Sequence, residues 1–212
     1  MIKKTFEINK IDFKKEKFFL FYGENEGFKN DIIKNNIELN NKENIYRYEE
    51  KEILDNKENF FNSICSKSFF ENKKIIIISR ASDKIKEIIE EIIEKKISDL
   101  VIVLNSGILE KKSKLRNLFE KNKNSICIAF YPDNNQTLSG IVNNFFRSKK
   151  TPISQESINI IVERSRGDRQ NLSNELNKIE NFIKNKKKIS IDEISKITNL
   201  SENYNVSELV DS

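Results

Sequence analysis

The sequence contains no histidine and no tryptophan, and only two cysteines, two prolines, five glycines and one methionine among 212 residues. Without histidine there is no Ser-His-Asp triad, no Cys-His dyad, no imidazole base and no histidine metal ligand. Cys65 and Cys127 lie far apart with no CxxC spacing, so they read as small buried apolar residues in a reducing compartment. No apolar run approaches the length of a membrane span. Thr5-Phe6-Glu7 follows Met1-Ile2-Lys3-Lys4 and breaks any signal-peptide core, which points to a cytoplasmic chain without a membrane partner.

Charge is abundant but balanced. There are 38 basic and 33 acidic residues, for a net charge of +5, and division near Asp133 leaves +3 before and +2 after. So even a balance argues against strong, sequence-independent nucleic-acid binding by charge alone. The composition is dominated by 34 Ile, 31 Lys and 29 Asn, so a lone Lys or Asn carries little weight as a motif by itself.

Up to Asp133 the pattern alternates between strand and helix. Phe18 to Tyr22, Ile45 to Tyr48, Ile75 to Ile78, Leu100 to Leu104 and Ile126 to Phe130 read as strands, several of them continuous apolar runs of the kind buried on both faces. Between them lie helical stretches: Phe28 to Ile37, one around Phe60, Phe61 and Ile64, and one carrying Leu109, Leu115, Leu118 and Phe119. Ile85, Ile88, Ile89, Ile92 and Ile93 make a full amphipathic stripe. The fold class is therefore α/β, a mostly parallel five-stranded sheet with flanking helices. After Tyr131-Pro132-Asp133 the strand runs stop. Leu138 to Phe146, Ile158 to Val162 and Leu172 to Ile183 carry helical spacing, and Ser190 with Glu193 makes a capping box, so a small helical domain follows.

A sheet followed by a helical lid raises the question of nucleotide. The turn after the first strand reads Gly23-Glu24-Asn25-Glu26-Gly27-Phe28-Lys29-Asn30. A phosphate-cradling P-loop needs G-x-x-x-x-G-K-[ST]. Lys29 is in place, but Phe28 stands at the second glycine and Asn30 at the magnesium-binding hydroxyl. Glu24 and Glu26 would set negative charge beside the phosphates. The third strand ends in Ser79-Arg80 without a carboxylate, and Asp83 reads as a helix-start residue. In the lid, Gly167-Asp168 is followed by Arg169 and Gln170, with Gln where a nucleotide-sensing arginine would stand and Arg169 read as a solvated helix-start residue. These departures coincide, so Gly23, Phe28, Lys29 and Asn30 are read as a degenerate phosphate loop, with no catalytic residue, no metal and no cofactor expected.

On these segments the chain resembles the delta subunit of the bacterial DNA polymerase III clamp loader. They are Tyr22-Gly23-Glu24-Asn25-Glu26, Ser66-Lys67-Ser68-Phe69-Phe70, Gly167-Asp168 with Glu175-Leu176-Lys178-Ile179, and Asn205 to Asp211. The resemblance implies an AAA+-type domain over 1–133, a helical lid over 134–200 and, over 201–212, the start of a collar domain that is otherwise missing. It implies a non-catalytic subunit in DNA replication that binds and opens the ring-shaped sliding clamp, while other loader subunits hydrolyse ATP. It further implies clamp contact through Phe69 and Phe70, assembly with the other subunits through the collar, and primer-template DNA met mainly through the assembly. Nothing in the chain looks like polymerase chemistry, although the holoenzyme it would serve is a DNA-directed DNA polymerase. Two other readings stand beside this one. One is an ATP-driven AAA+ motor, which the turn at Gly23 to Asn30 opposes. The other is a nucleic-acid-binding module using Lys111, Lys112, Lys114 and Arg116, or Lys186, Lys187 and Lys188.

Overall fold

The computed structural model describes residues 2–39, 44–65, 73–97, 99–184 and 188–198. Phe69, Phe70, Lys186, Lys187 and the segment 201–212 lie outside the described residues. The chain divides into two units, Met1–Tyr131 and Pro132–Ser212.

The first unit is built on strands β1 (Ile2–Lys3), β2 (Phe18–Tyr22), β3 (Ile45–Glu49), β4 (Lys74–Ser79), β5 (Leu100–Ser106) and β6 (Ser125–Ala129). They form one sheet in the order β1-β6-β2-β5-β4-β3, and every pairing is parallel. Strand β2 is central, with Leu20 level with Leu104 on one side and Cys127 on the other. Alternate residues of a strand point to opposite faces. Leu20, Ile76, Ile78, Ile102, Leu104 and Cys127 therefore share one face, packed with Ile53, Phe60, Ile88, Ile89, Ile92, Leu115 and Phe119. Phe19, Phe21, Ile75, Ile77, Val101, Val103, Ile126 and Ile128 fill the other with Ile8, Ile33, Ile37 and Phe130. Burial on both faces is why these strands read as unbroken apolar runs rather than as alternation.

The sheet has six strands where the sequence reading has five. The sixth, β1, is two residues long and pairs through Ile2 and Lys3 with Cys127 and Ile128. Two residues carry no period, so only the neighbouring strand reveals it.

Helices α1 (Glu26–Ile32), α2 (Glu50–Asp55), α3 (Lys57–Cys65), α4 (Lys86–Lys95) and α5 (Lys114–Lys121) connect the strands. A π-helical turn, Ile33–Glu38, continues α1 and buries Ile33 and Ile37. The stripe expected from Ile85 is present, with Ile88, Ile89 and Ile92 buried in α4 after a 3-10 turn at Asp83–Ile85. Helix α5 starts at Lys114, later than the sequence suggests, because Ser113 caps it by accepting from the Arg116 amide; Leu109 precedes it as loop. Cys127 is buried at the sheet centre, where burial pushes its thiol up to about 12. Cys65 is exposed, contrary to expectation: α3 turns Phe60 and Ile64 inward and leaves Cys65 outside that face.

The second unit comprises α6 (Asn135–Ser148), α7 (Gln155–Ser165), α8 (Arg169–Ile183) and α9 (Ile191–Ile197). Asn134, Ser154, Asp168 and Ser190 cap them, each accepting a backbone N–H from the first turn. Ser190 and Glu193 make the expected capping box. Leu138, Val142, Phe146, Ile158, Ile161, Leu172, Leu176, Ile179, Ile183 and Ile194 form one core. Among the described residues, no helix is long and apolar enough to cross a membrane.

Candidate phosphate-loop site

Because all strands run parallel, their C-terminal ends meet along one edge, where ligands of open α/β sheets bind. A cleft of about 710 Å³ opens there, lined by Glu26, Asn30, Glu49, Ser79, Arg80, Ala81, Ser82, Asn105, Gly107, Ile108 and Leu109.

Gly23 directly follows β2 at φ 121°, a conformation that side chains rarely adopt. A Cβ there would lie 2.2 Å from the Phe130 carbonyl oxygen, so only glycine fits. Its N–H donates to the Gly107 carbonyl at 2.9 Å, tying β2 to the segment after β5. Asn25 caps α1: Oδ1 accepts from the Phe28 amide at 3.1 Å, and Nδ2 donates to the Tyr131 carbonyl at 3.0 Å. The Phe28 ring meets Phe130 edge-on, with centroids 5.1 Å apart. The side chain at the second glycine position thus serves the core.

Lys29 is fully buried, and its Nζ donates to the Gly23 carbonyl at 2.9 Å, the Ser106 carbonyl at 2.5 Å and Glu26 Oε1 at 2.6 Å. Burial pushes the Lys29 pKa below its ordinary value, against the opposing hydrogen bond and charge of Glu26. Glu26, expected to repel phosphate, is instead the partner of the loop's own lysine, and its Oε2 accepts from Asn105 Nδ2 at 3.3 Å. Asn30 lines the cleft.

The other positions weighed for nucleotide contact have partners within the protein. Beyond β4, Arg80 adopts φ 57° and reaches Glu49 at 3.3 Å, both well exposed. Ser82 donates its N–H and hydroxyl to the buried Glu50. Asp83 lies in the first turn it was expected to start, yet its carboxylate serves another helix, accepting from Ser113 Oγ at 2.6 Å and the Leu115 amide at 2.9 Å. Desolvation pushes the Asp83 carboxyl up, but hydrogen bonds from Ser113, Leu115 and Lys114 prevail and hold it below its ordinary range.

Arg169 is not a solvated helix-start residue. It forks onto Asp133, Nε to Oδ2 at 2.8 Å and Nη2 to Oδ1 at 2.6 Å, within the second unit. Gln170 Nε2 faces Asn174 Oδ1 along α8. The basic helix start is also partly dispersed: Arg116 pairs with Glu120 and lies over the Tyr22 ring, and Lys112 pairs with Glu110.

Sequence reasoning passed over Asn105. It lies next to the end of β5 and lines the cleft, and its Oδ1 is buried with no hydrogen-bond partner among the described residues. The available signal was a polar residue ending the apolar run Leu100 to Leu104.

No protein-family model matches the sequence, and no curated protein does. Solved structures do resemble the fold. The Bacillus subtilis DNA clamp loader delta protein matches with a TM-score of 0.56 at 16% identity, over 90% of this chain and 60% of that one. The Thermotoga maritima RuvB Holliday junction branch migration motor matches with a TM-score of 0.55 at 14% identity, over 85% and 60%. Domain III of the Thermotoga maritima replication initiation protein DnaA matches with a TM-score of 0.50 at 14% identity, over 91% and 87%. The chain thus spans about 60% of the length of the delta protein and of RuvB. At such identities the likeness establishes architecture alone: a parallel six-stranded α/β unit with flanking helices, of the fold these proteins share, followed in sequence by a helical unit.

Proposed function

We propose that this chain is a clamp-loader subunit of the delta kind, which binds a sliding clamp and opens it without turning over ATP. The observation that carries the reading is the phosphate loop: its lysine spends all three donors on protein oxygens, and no carboxylate closes β4. A loop occupied by its own lysine suits a subunit whose partners hydrolyse the nucleotide. The likeness to the Bacillus subtilis delta protein supports the clamp-loader branch, as do Ser66-Lys67-Ser68-Phe69-Phe70 and Gly167-Asp168. Phe69 and Phe70 are proposed as the clamp contact, and the sliding clamp and the other loader subunits as partners in the cytoplasm.

The competing reading is an ATP-driven AAA+ motor, favoured by the shared fold of RuvB and DnaA domain III and by the lysine retained at position 29. Two titrations separate them. Immobilised clamp should capture the protein saturably, whereas ATP with Mg²⁺ should give no saturable signal by calorimetry up to millimolar concentration. ATP binding together with no clamp binding would replace the proposal with the motor.

A further inference from the structure

A phosphate loop binds anions by presenting N–H groups and a lysine outward. Here the polarity is reversed. Around the Lys29 ammonium stand the Gly23 carbonyl at the end of β2, the Ser106 carbonyl at the end of β5, and a carboxylate oxygen of Glu26 in the first turn of α1. Two of these acceptors are main-chain oxygens that no pH change removes. Their directions are fixed by neighbouring contacts. Gly23 is held by its φ of 121° and its bond to Gly107, and the Ser106 side chain is bonded to the Ala81 carbonyl. A primary ammonium has three donors, and three acceptors surround it. A phosphate in the same place would face two carbonyls and a carboxylate.

We propose that the former phosphate loop is now a primary-ammonium site whose resident occupant is Lys29, and that this occupancy latches β2 and α1 to the end of β5. The inference does not depend on clamp binding. It assigns the buried lysine a conformational task in a place where sequence would assign it a ligand. Removing the amine takes this donor from the half-buried Gly23 carbonyl and the buried Ser106 carbonyl, and loss of a buried hydrogen bond is destabilising.

The test uses the full chain carrying Lys29→Ala, which empties the cage and leaves room for a small alkylammonium. The expected melting temperature falls by about 5 °C or more. Millimolar n-butylammonium chloride should raise it for the variant and not for the unaltered protein, while tetramethylammonium, which has no N–H, should do nothing. Absence of selective rescue would overturn the proposal. Should Lys29→Ala fail to fold, Lys29→Met keeps the volume and removes the donors. Amide exchange should then quicken at Gly23–Asn30 and Asn105–Gly107 and remain unchanged in α7 and α8. Exchange and melting temperature equal to those of the unaltered protein would sink the latch. Clamp capture, measured in parallel, reports on the proposed function separately.

Discussion

Arg169 and Asp133 form a two-pronged ion pair that is almost closed to solvent, with the guanidinium 13% and the carboxylate 7% exposed. Buried pairs are asymmetric: removing one member takes from the other its two-pronged partner while its charge stays largely desolvated. Arg169→Ala should destabilise the helical unit by about 3 kcal/mol, and Arg169→Lys should recover little because lysine cannot fork. Denaturant unfolding would check this, with amide exchange in α7 and α8 as the local readout. The double variant with Asp133→Ala should lose less than the sum of the two single changes.

Gly23→Ala should cost about 3 kcal/mol or more, since the new Cβ meets the Phe130 carbonyl and the backbone holds a positive φ. Gly107→Ala is the control, because a Cβ there meets nothing within 4 Å. Equal melting temperatures for the two variants would contradict this account of the turn.

The Asp83 carboxyl sets an acid limit on the first unit. Its pKa in the folded protein lies below its ordinary value of 3.8, so its contribution is present above that value and is lost as pH falls through the folded pKa. Asp83→Asn should lower the melting temperature at pH 7, and the gap to the unaltered protein should close on acidification below about pH 4. A gap independent of pH between 7 and 2.5 would mean that charge is not what makes the Asp83 contacts with Ser113 and Leu115 stabilising.

Phe69→Ala with Phe70→Ala should weaken clamp capture by about 2–4 kcal/mol, or roughly 30- to 1000-fold, if this pair is the proposed clamp contact. The melting temperature should change far less. Unchanged capture, or loss of folding, would assign the pair to the core.

The strands were legible because a residue buried on either face must be apolar, so Leu100 to Leu104 and Ile75 to Ile78 announce themselves. That Asn30 carries no hydroxyl and that no carboxylate directly follows Ile78 was equally plain. What was hidden was direction and distant partnership. Lys29 occupies the lysine position of a phosphate loop, yet whether its amine points out or in depends on Ser106, 77 residues away. Arg169 finds its acceptor 36 residues upstream, and Asp83 finds its donors some 30 residues downstream. Local pattern carries helix starts and strand periods, but not which loop will present an oxygen.

The central position of β2 also orders events in time. Made early, at Phe18–Tyr22, it pairs only with β5 and β6, which end at Ser106 and Ala129. On a growing chain emerging from the ribosome, β3 and β4 can pair with each other first, while Phe19, Leu20 and Phe21 wait without neighbouring strands. The apolar heart of the sheet is thus the last part to close and is exposed to off-pathway association until then. A nascent chain stalled before Leu100 should engage chaperones, and one released after Ala129 should not.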